Sequence, residues 1–234
     1  MLARILLALD GAPARRNACA FALDLARAHR AGATALGIVN SAWIQRPEPV
    51  PLGGFEYKAS LDLHLMTSAS QRVCAALEQF EESARAAGLS DFQTRAVEGD
   101  VVVLVQQEAT SHDLVVLSRE AHFDVEREGL DVPGCVDRLV RTGVRPIIMT
   151  PASGGWTPDR SRPVLVAFDG SAPASRALHL FALLGLAADG PVHVLCAGID
   201  DGELQAAAAC RLLIAHGCPD AQAIILTPAD SASP

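Results

Sequence analysis

A short stretch near the N-terminus reappears 159 positions later in the chain. Leu7-Ala8-Leu9-Asp10-Gly11-Ala12, followed by Ala18, aligns without a gap with Val166-Ala167-Phe168-Asp169-Gly170-Ser171, followed by Ala177. A repeat at that distance means that one folding unit has been used twice, because each copy must bury its own apolar face. In both copies an uninterrupted apolar run ends at Asp-Gly and gives way to helical spacing, the pattern of a parallel strand covered on both faces and followed by a crossover helix.

The first copy continues that alternation. The spacing predicts a strand over 3–9, a helix carrying Ala18, Phe21, Ala22, Leu25 and Ala26 that closes near Gly32, and a strand over 34–39. Residues 41–60, with Pro47, Pro49, Pro51 and the Gly53-Gly54 pair, read as a long loop or lid. A helix follows over 61–87, with Cys74, Leu77, Phe80 and Ala84 on one face and Gly88 as its stop. Next come a strand over 92–97, a turn at Glu98-Gly99-Asp100, a helix over 101–110, a strand over 113–117, an acid-rich loop, a helix over 134–141 and a strand over 145–150. Five strands joined by helices predict an α/β, doubly wound parallel sheet for residues 1–151. Residues 152–162 have the Gly, Pro and Ser content of a linker. The second copy, over 163–234, supplies three strands and two helices: the run Val164 to Phe168, a helix over 172–186, a strand over 192–197, a helix over 203–215 and a strand over 221–226.

Composition narrows the function classes. A net charge of −8 with Lys58 as the single lysine argues against a nucleic-acid partner, whose phosphates are held by clustered cations. No apolar run approaches the roughly 20 residues that span a bilayer, and the N-terminus turns acidic too soon for a signal peptide, so we expect no membrane partner and a cytoplasmic location. Six cysteines occur without a CxxC pair, and four of them sit inside apolar patterns, which predicts reduced and mostly buried thiols. His216, Cys218 and Cys210 are too loosely spaced for a metal corner. His112 and His122 flank the fourth strand and read as solvated loop histidines, and Ser118 and Ser171 lack a partner that would activate a nucleophile.

Several pieces, taken in order, identify a resemblance: Ile5 to Gly11, Glu98-Gly99-Asp100, Asp113-Leu114-Val115-Val116 and Arg145-Pro146-Ile147-Ile148 in the first copy, and Asp169-Gly170-Ser171 with Arg176-Ala177-Leu178 in the second. Together these resemble the universal stress protein family. The resemblance implies strand order 3-2-1-4-5 in an adenine nucleotide α-hydrolase-like fold, and it brings in ATP as the candidate ligand. ATP-binding members use an Asp after the first strand, main-chain groups of the second strand, and a loop G-x2-G-x9-G-[ST] whose bare backbone approaches the phosphates. Carried over, Asp10 with Gly11 and Val39 match, and Asp169, Gly170 and Ser171 repeat the turn in the second copy. The loop departs from the pattern: its leading glycines fall on Ser118 and Ala121, and Gly134-Cys135 stands three residues late. The intervening stretch from His122 to Glu128 is net negative, and a carboxylate about 4 Å from a phosphate costs about 4 kcal/mol at an effective dielectric near 20.

Two roles stay open for Asp10 and Asp169, nucleotide contact or helix N-cap. Trp43, Phe55 and Tyr57 form either an adenine-stacking lid or ordinary surface packing. The reading that follows is a non-catalytic stress-response or signalling module with a degenerate nucleotide site and no cofactor. The alternative is an ATP-binding member whose nucleotide regulates assembly, and an enzyme of the related nucleotide fold is the third reading. For partners, the resemblance points to a homodimer through residues 145–150, with Arg145 and Thr150 at the ends. Removing strands four and five from the second copy leaves residues 164–168, from Val164 to Phe168, as a second open edge for a protein partner.

Overall fold

The computed structural model describes residues 2–12, 15–123, 134–151, 162–186, 190–197 and 202–226. Two compact units divide the chain, one within residues 2–157 and the other within 158–234. The first unit runs β1 (Arg4–Leu9), α1 (Arg15–His29), β2 (Gly32–Val39), α2 (Ser41–Ile44), α3 (Phe55–Ala86), β3 (Phe92–Glu98), α4 (Val101–Ala109), β4 (Leu114–Ser118), α5 (Gly134–Thr142) and β5 (Ile147–Thr150). Its strands form one parallel sheet in the order β3-β2-β1-β4-β5, the order the resemblance implies.

Place in that order explains composition. β1 lies between β2 and β4, so both faces are covered and Ile5, Leu6, Leu7, Ala8 and Leu9 are all buried. β3 is an edge strand, and its residues alternate between partial burial and exposure along the first half. Right-handed crossovers set α1 and α3 on one face and α4 and α5 on the other. Leu6, Ala8, Leu36 and Ile38 accordingly share one core with Val102, Val105, Val136 and Leu139 from α4 and α5. The alternate positions of β1 turn toward the opposite face. α3 passes so near β2 that a Cβ on Gly37 would lie 2.5 Å from Val73 Cγ1, which only a glycine at that position avoids. Across the sheet's opposite end, the Asp113 carboxylate accepts from Ala3 N at 2.8 Å and Arg4 N at 2.9 Å, tying the start of β1 to β4. Burial raises this carboxyl, but the two amides and the nearby Arg145 outweigh it and hold it below the usual range.

Four local expectations are corrected. Residues 41–60 are not one loop: α2 occupies Ser41–Ile44 and α3 begins at Phe55, so the prolines confine the loop to 45–54. α1 closes at Arg30, in the left-handed region at φ 54°, and Gly32 already belongs to β2. Val73 and not Cys74 lies on the buried face of α3; Cys74 is exposed. β5 begins two residues later than expected, after Pro146, which has no amide to give the ladder; the Arg145 side chain donates to the carbonyls of Ala109 and Thr110 at the end of α4 at 3.2 and 3.1 Å.

The second unit repeats β1 to β3 as β6 (Val164–Ala167), α6 (Ala172–Leu183), β7 (Val192–Ala197), α7 (Gly202–Ala215) and β8 (Ala221–Leu226), three parallel strands in the order β6-β7-β8. α6 and α7 pack on the face carrying Val166, Phe168, Val192, Val194 and Cys196. The register puts Leu165, His193 and Gln222 in one row and Ala167, Leu195 and Ile224 in another, both on the opposite face. Among the described residues no helix of this unit covers that face. Leu165, at 62% exposure, is the repeat counterpart of Leu6, at 0%.

Candidate functional site

In a doubly wound sheet the crevice forms beyond the carboxyl ends of the strands, where chain connections leave the centre in opposite directions. Here that point lies between β1 and β4. Asp10 follows β1 and is 7% exposed. Its Oδ1 accepts from Ala12 N at 2.9 Å, and its Oδ2 accepts from His122 N at 3.1 Å and Phe123 N at 3.4 Å. The carboxylate thus pins the loop after β4 to the turn after β1. Gly11, at φ +78°, allows that turn to run against α3, where a Cβ would lie 2.8 Å from the backbone of Arg72.

Phe123 completes the closure. Its ring is fully buried, sharing the core of Leu36, Ile38, Val101 and Val136. Its backbone sits at φ +49°, in the left-handed region that a phenylalanine rarely adopts, and is held there from both sides. The amide donates to Asp10, and the carbonyl accepts from Asn40 Nδ2 at 3.2 Å. Asn40 in turn caps the short α2, its Oδ1 accepting from Trp43 N at 3.3 Å. Sequence reasoning missed both residues. An Asn just before Ser41 is a helix-start signal that the proline-rich stretch obscured, and Phe123 was grouped with its charged neighbours.

The other expected positions sort as follows. Val39 is buried, and its carbonyl accepts from Gly99 N at 3.1 Å. Ser118 is buried, its hydroxyl accepting from Glu120 N at 3.3 Å. Gly134 and Cys135, at the start of α5, line a cleft of about 260 Å³ together with Asn40, Trp43, Asp100 and Arg138. Asp100 caps α4 by accepting from Val103 N at 3.0 Å, and its second oxygen lies 3.8 Å from Arg138 Nη1. The guanidinium of Arg46 stacks 3.6 Å above the Trp43 ring. Phe55 and Tyr57 neither stack here nor pack on the surface; both are largely exposed. The acidic residues following Phe123 lie outside the described residues. In the second unit, Asp169 is exposed and accepts from Ser171 N at 2.9 Å, while Ser171 and not Asp169 caps α6 by accepting from Ala174 N at 3.2 Å. The Ser171 hydroxyl and amide hold the Asp169 carboxyl below its usual range.

His112 is not a solvated loop histidine. It is buried, with Nδ1 2.8 Å from the Glu108 carbonyl and Nε2 2.9 Å from Thr34 Oγ1. A carbonyl can only accept, so Nδ1 donates to it, and Nε2 and the Thr34 hydroxyl share the second bond. Among the described residues, no group of three or more His, Cys, Asp or Glu side chains is placed to hold a metal ion. Nor is any helix among them long and apolar enough to cross a membrane.

The cysteines divide by exposure. Cys135, Cys196, Cys210 and Cys218 are buried, Cys19 is intermediate and Cys74 is exposed. Burial, with a smaller push from the Asp10 charge, drives the Cys135 thiol up to about 11, so at neutral pH it holds on the order of a hundredth of the thiolate of an ordinary cysteine. We expect maleimide at neutral pH to label Cys74 first and leave Cys135 intact until denaturant is added. Peptide mass spectrometry checks this, and early labelling of Cys135 would show an open crevice.

No protein-family model and no curated protein matches the sequence. Solved structures do. Universal stress protein UspA from Lactobacillus plantarum is 18% identical and matches 63% of this chain and 97% of its own, with a TM-score of 0.50. A universal stress protein from Archaeoglobus fulgidus is 15% identical and matches 97% of this chain and 78% of its own, with a TM-score of 0.61. At these identities the likeness establishes the fold: the chain is built as universal stress proteins are built.

Proposed function

We propose that this chain, which carries the universal stress protein fold, is a non-catalytic stress-response or signalling module in which the protein itself fills the nucleotide position. The observation that carries the reading is the closed crevice. Asp10 spends both carboxylate oxygens on main-chain amides, and the Phe123 ring is buried beside it. A ligand approaching Asp10 would have to compete with those amides for its oxygens. We place the module in the cytoplasm, with residues 1–151 and 163–234 as its domains and 152–162 as the linker. The four-residue strands β5 and β6 are edges at which a partner's strand can add.

One observation favours the second reading, an ATP-binding regulator: Gly134 and Cys135 do face a cleft, with Arg138 at its wall. Its volume of about 260 Å³ is below the roughly 300–1,000 Å³ of ordinary small-molecule sites. Equilibrium dialysis with ATP and Mg²⁺ separates the two. We expect no saturable binding up to millimolar nucleotide, and a submillimolar Kd would replace the first reading with the second.

A further inference from the structure

The second unit brings two histidines together from different helices. His179 lies within α6, and His216 follows the last residue of α7. Their ring centres are 5.6 Å apart with the planes 87° to one another, and both residues are exposed. The backbone beneath each ring is fixed. His216 N donates to the carbonyls of Leu212 and Leu213, both at 3.1 Å, and Gly217 then turns the chain at φ +93°. Cys218 N returns to the Leu213 carbonyl at 3.0 Å, and its side chain enters the core that also holds Leu178, the neighbour of His179.

Imidazole nitrogen is a ligand that borderline divalent cations such as Ni²⁺ and Zn²⁺ accept. With a metal–nitrogen bond of about 2.1 Å, a bound ring has its centre about 3.2 Å from the ion. Two imidazoles on one ion therefore hold their centres about 4.5 Å apart at a right angle and about 5.2 Å apart at the tetrahedral angle. The 5.6 Å spacing here lies close to the second value. Histidine χ2 is a soft torsion, so two exposed rings can turn one nitrogen each toward a common point at little cost. The place also suits positive charge. α7 is 14 residues long, and the partial negative charge of its last carbonyls falls beside His216.

We propose that His179 and His216 form a site for a divalent transition-metal cation, which clamps α6 to the end of α7 while waters complete its coordination shell. Two protein ligands are fewer than the three that hold a catalytic zinc, so the ion exchanges with solvent and its part is to stabilise, not to react. The clamp falls in the unit whose outer sheet face is covered by no helix among the described residues. It is separate from the crevice of the first unit and independent of what binds there.

Calorimetric titration of Ni²⁺ into the full chain carrying Cys74→Ser, which removes the exposed thiol as a competing ligand, is expected to show one saturable site. His179→Phe and His216→Phe each keep an aromatic ring on the helix, so a mere ring contact would survive them. Each is expected to weaken Ni²⁺ binding at least about tenfold, because the second imidazole otherwise acts at high effective concentration. His64→Ala removes an exposed histidine of the first unit and is expected to leave the site unchanged. Hydrogen exchange gives a second readout: Ni²⁺ should slow the amides of α6 and of the last turn of α7 in the parent chain, and in neither phenylalanine variant. The absence of a saturable site overturns the proposal, as does a site that survives both phenylalanine substitutions or falls equally with His64→Ala, which would mark adventitious surface binding. Saturable binding that leaves exchange in α6 and α7 unchanged overturns the clamp. ATP dialysis is run without Ni²⁺, so its result stands apart from all of these.

Discussion

Leu6→Ala is expected to destabilise the first unit by about 2–5 kcal/mol, whereas Leu165→Ala should change the stability of the second by no more than about 0.5 kcal/mol. The two leucines occupy the same position of the repeated strand, with the same residue type and the same neighbour two residues on, Ala8 and Ala167. Strand propensity therefore cancels from the comparison. What differs is the layer beyond. Leu6 lies under α4 and α5 and leaves a cavity when shortened, while Leu165 is 62% exposed and leaves none. A two-unit chain need not unfold in one step, so native-state hydrogen exchange is the suitable measurement. Amides of β1, β2 and β4 should lose protection in the Leu6 variant, and amides of β6 and β7 should be unchanged in the Leu165 variant. Equal losses in the two variants would mean that the outer face of the second sheet is covered in solution.

The same pair of leucines marks how far the sequence can be read. Strand and helix order was legible because each element rests on spacing along a single segment: the unbroken apolar run of β1, the Asp-Gly turns, the stop at Gly88; the sheet order came from the resemblance to universal stress proteins. The open β6 edge was legible too, since it follows from counting elements in the second copy, but the bare sheet face at Leu165 was not foreseen. What escaped depends on partners far away in the chain. Nothing near His112 announces that Thr34 will meet its Nε2. Phe123 sits among charged residues, and its burial follows from a bond to Asp10 that spans 113 positions. The start of α3 was missed for a local reason: Pro47 to Gly54 read as a loop, and no breaker follows Gly54, so the helix begins at once and Lys58 and Asp62 brace its first turns. Cys74 was misplaced by one position, a rotation of about 100° around the helix, which is enough to exchange core for solvent.

Phe123 gives the sharpest test of the closed crevice, because its two structural roles respond to different substitutions. Removing the ring should cost about 3–5 kcal/mol, the usual penalty for emptying a buried phenylalanine site. The backbone adds a second effect. At φ +49° any residue with a Cβ carries a strain of about 1–2 kcal/mol that glycine does not. Phe123→Gly should therefore be about 1 kcal/mol more stable than Phe123→Ala, the reverse of the order found in helices and strands, where glycine is the weaker residue. Urea unfolding of both variants, with the slope m checked for constancy, measures the difference. The glycine variant has a functional readout as well: with the ring gone, the core beside Cys135 gains space, and ATP dialysis should detect tighter binding than in the native chain. If alanine proves the better tolerated of the two, or neither variant loses stability, then the loop after β4 is not held shut by Phe123, and the crevice owes its closure to something other than the bonds from Asp10 and Asn40.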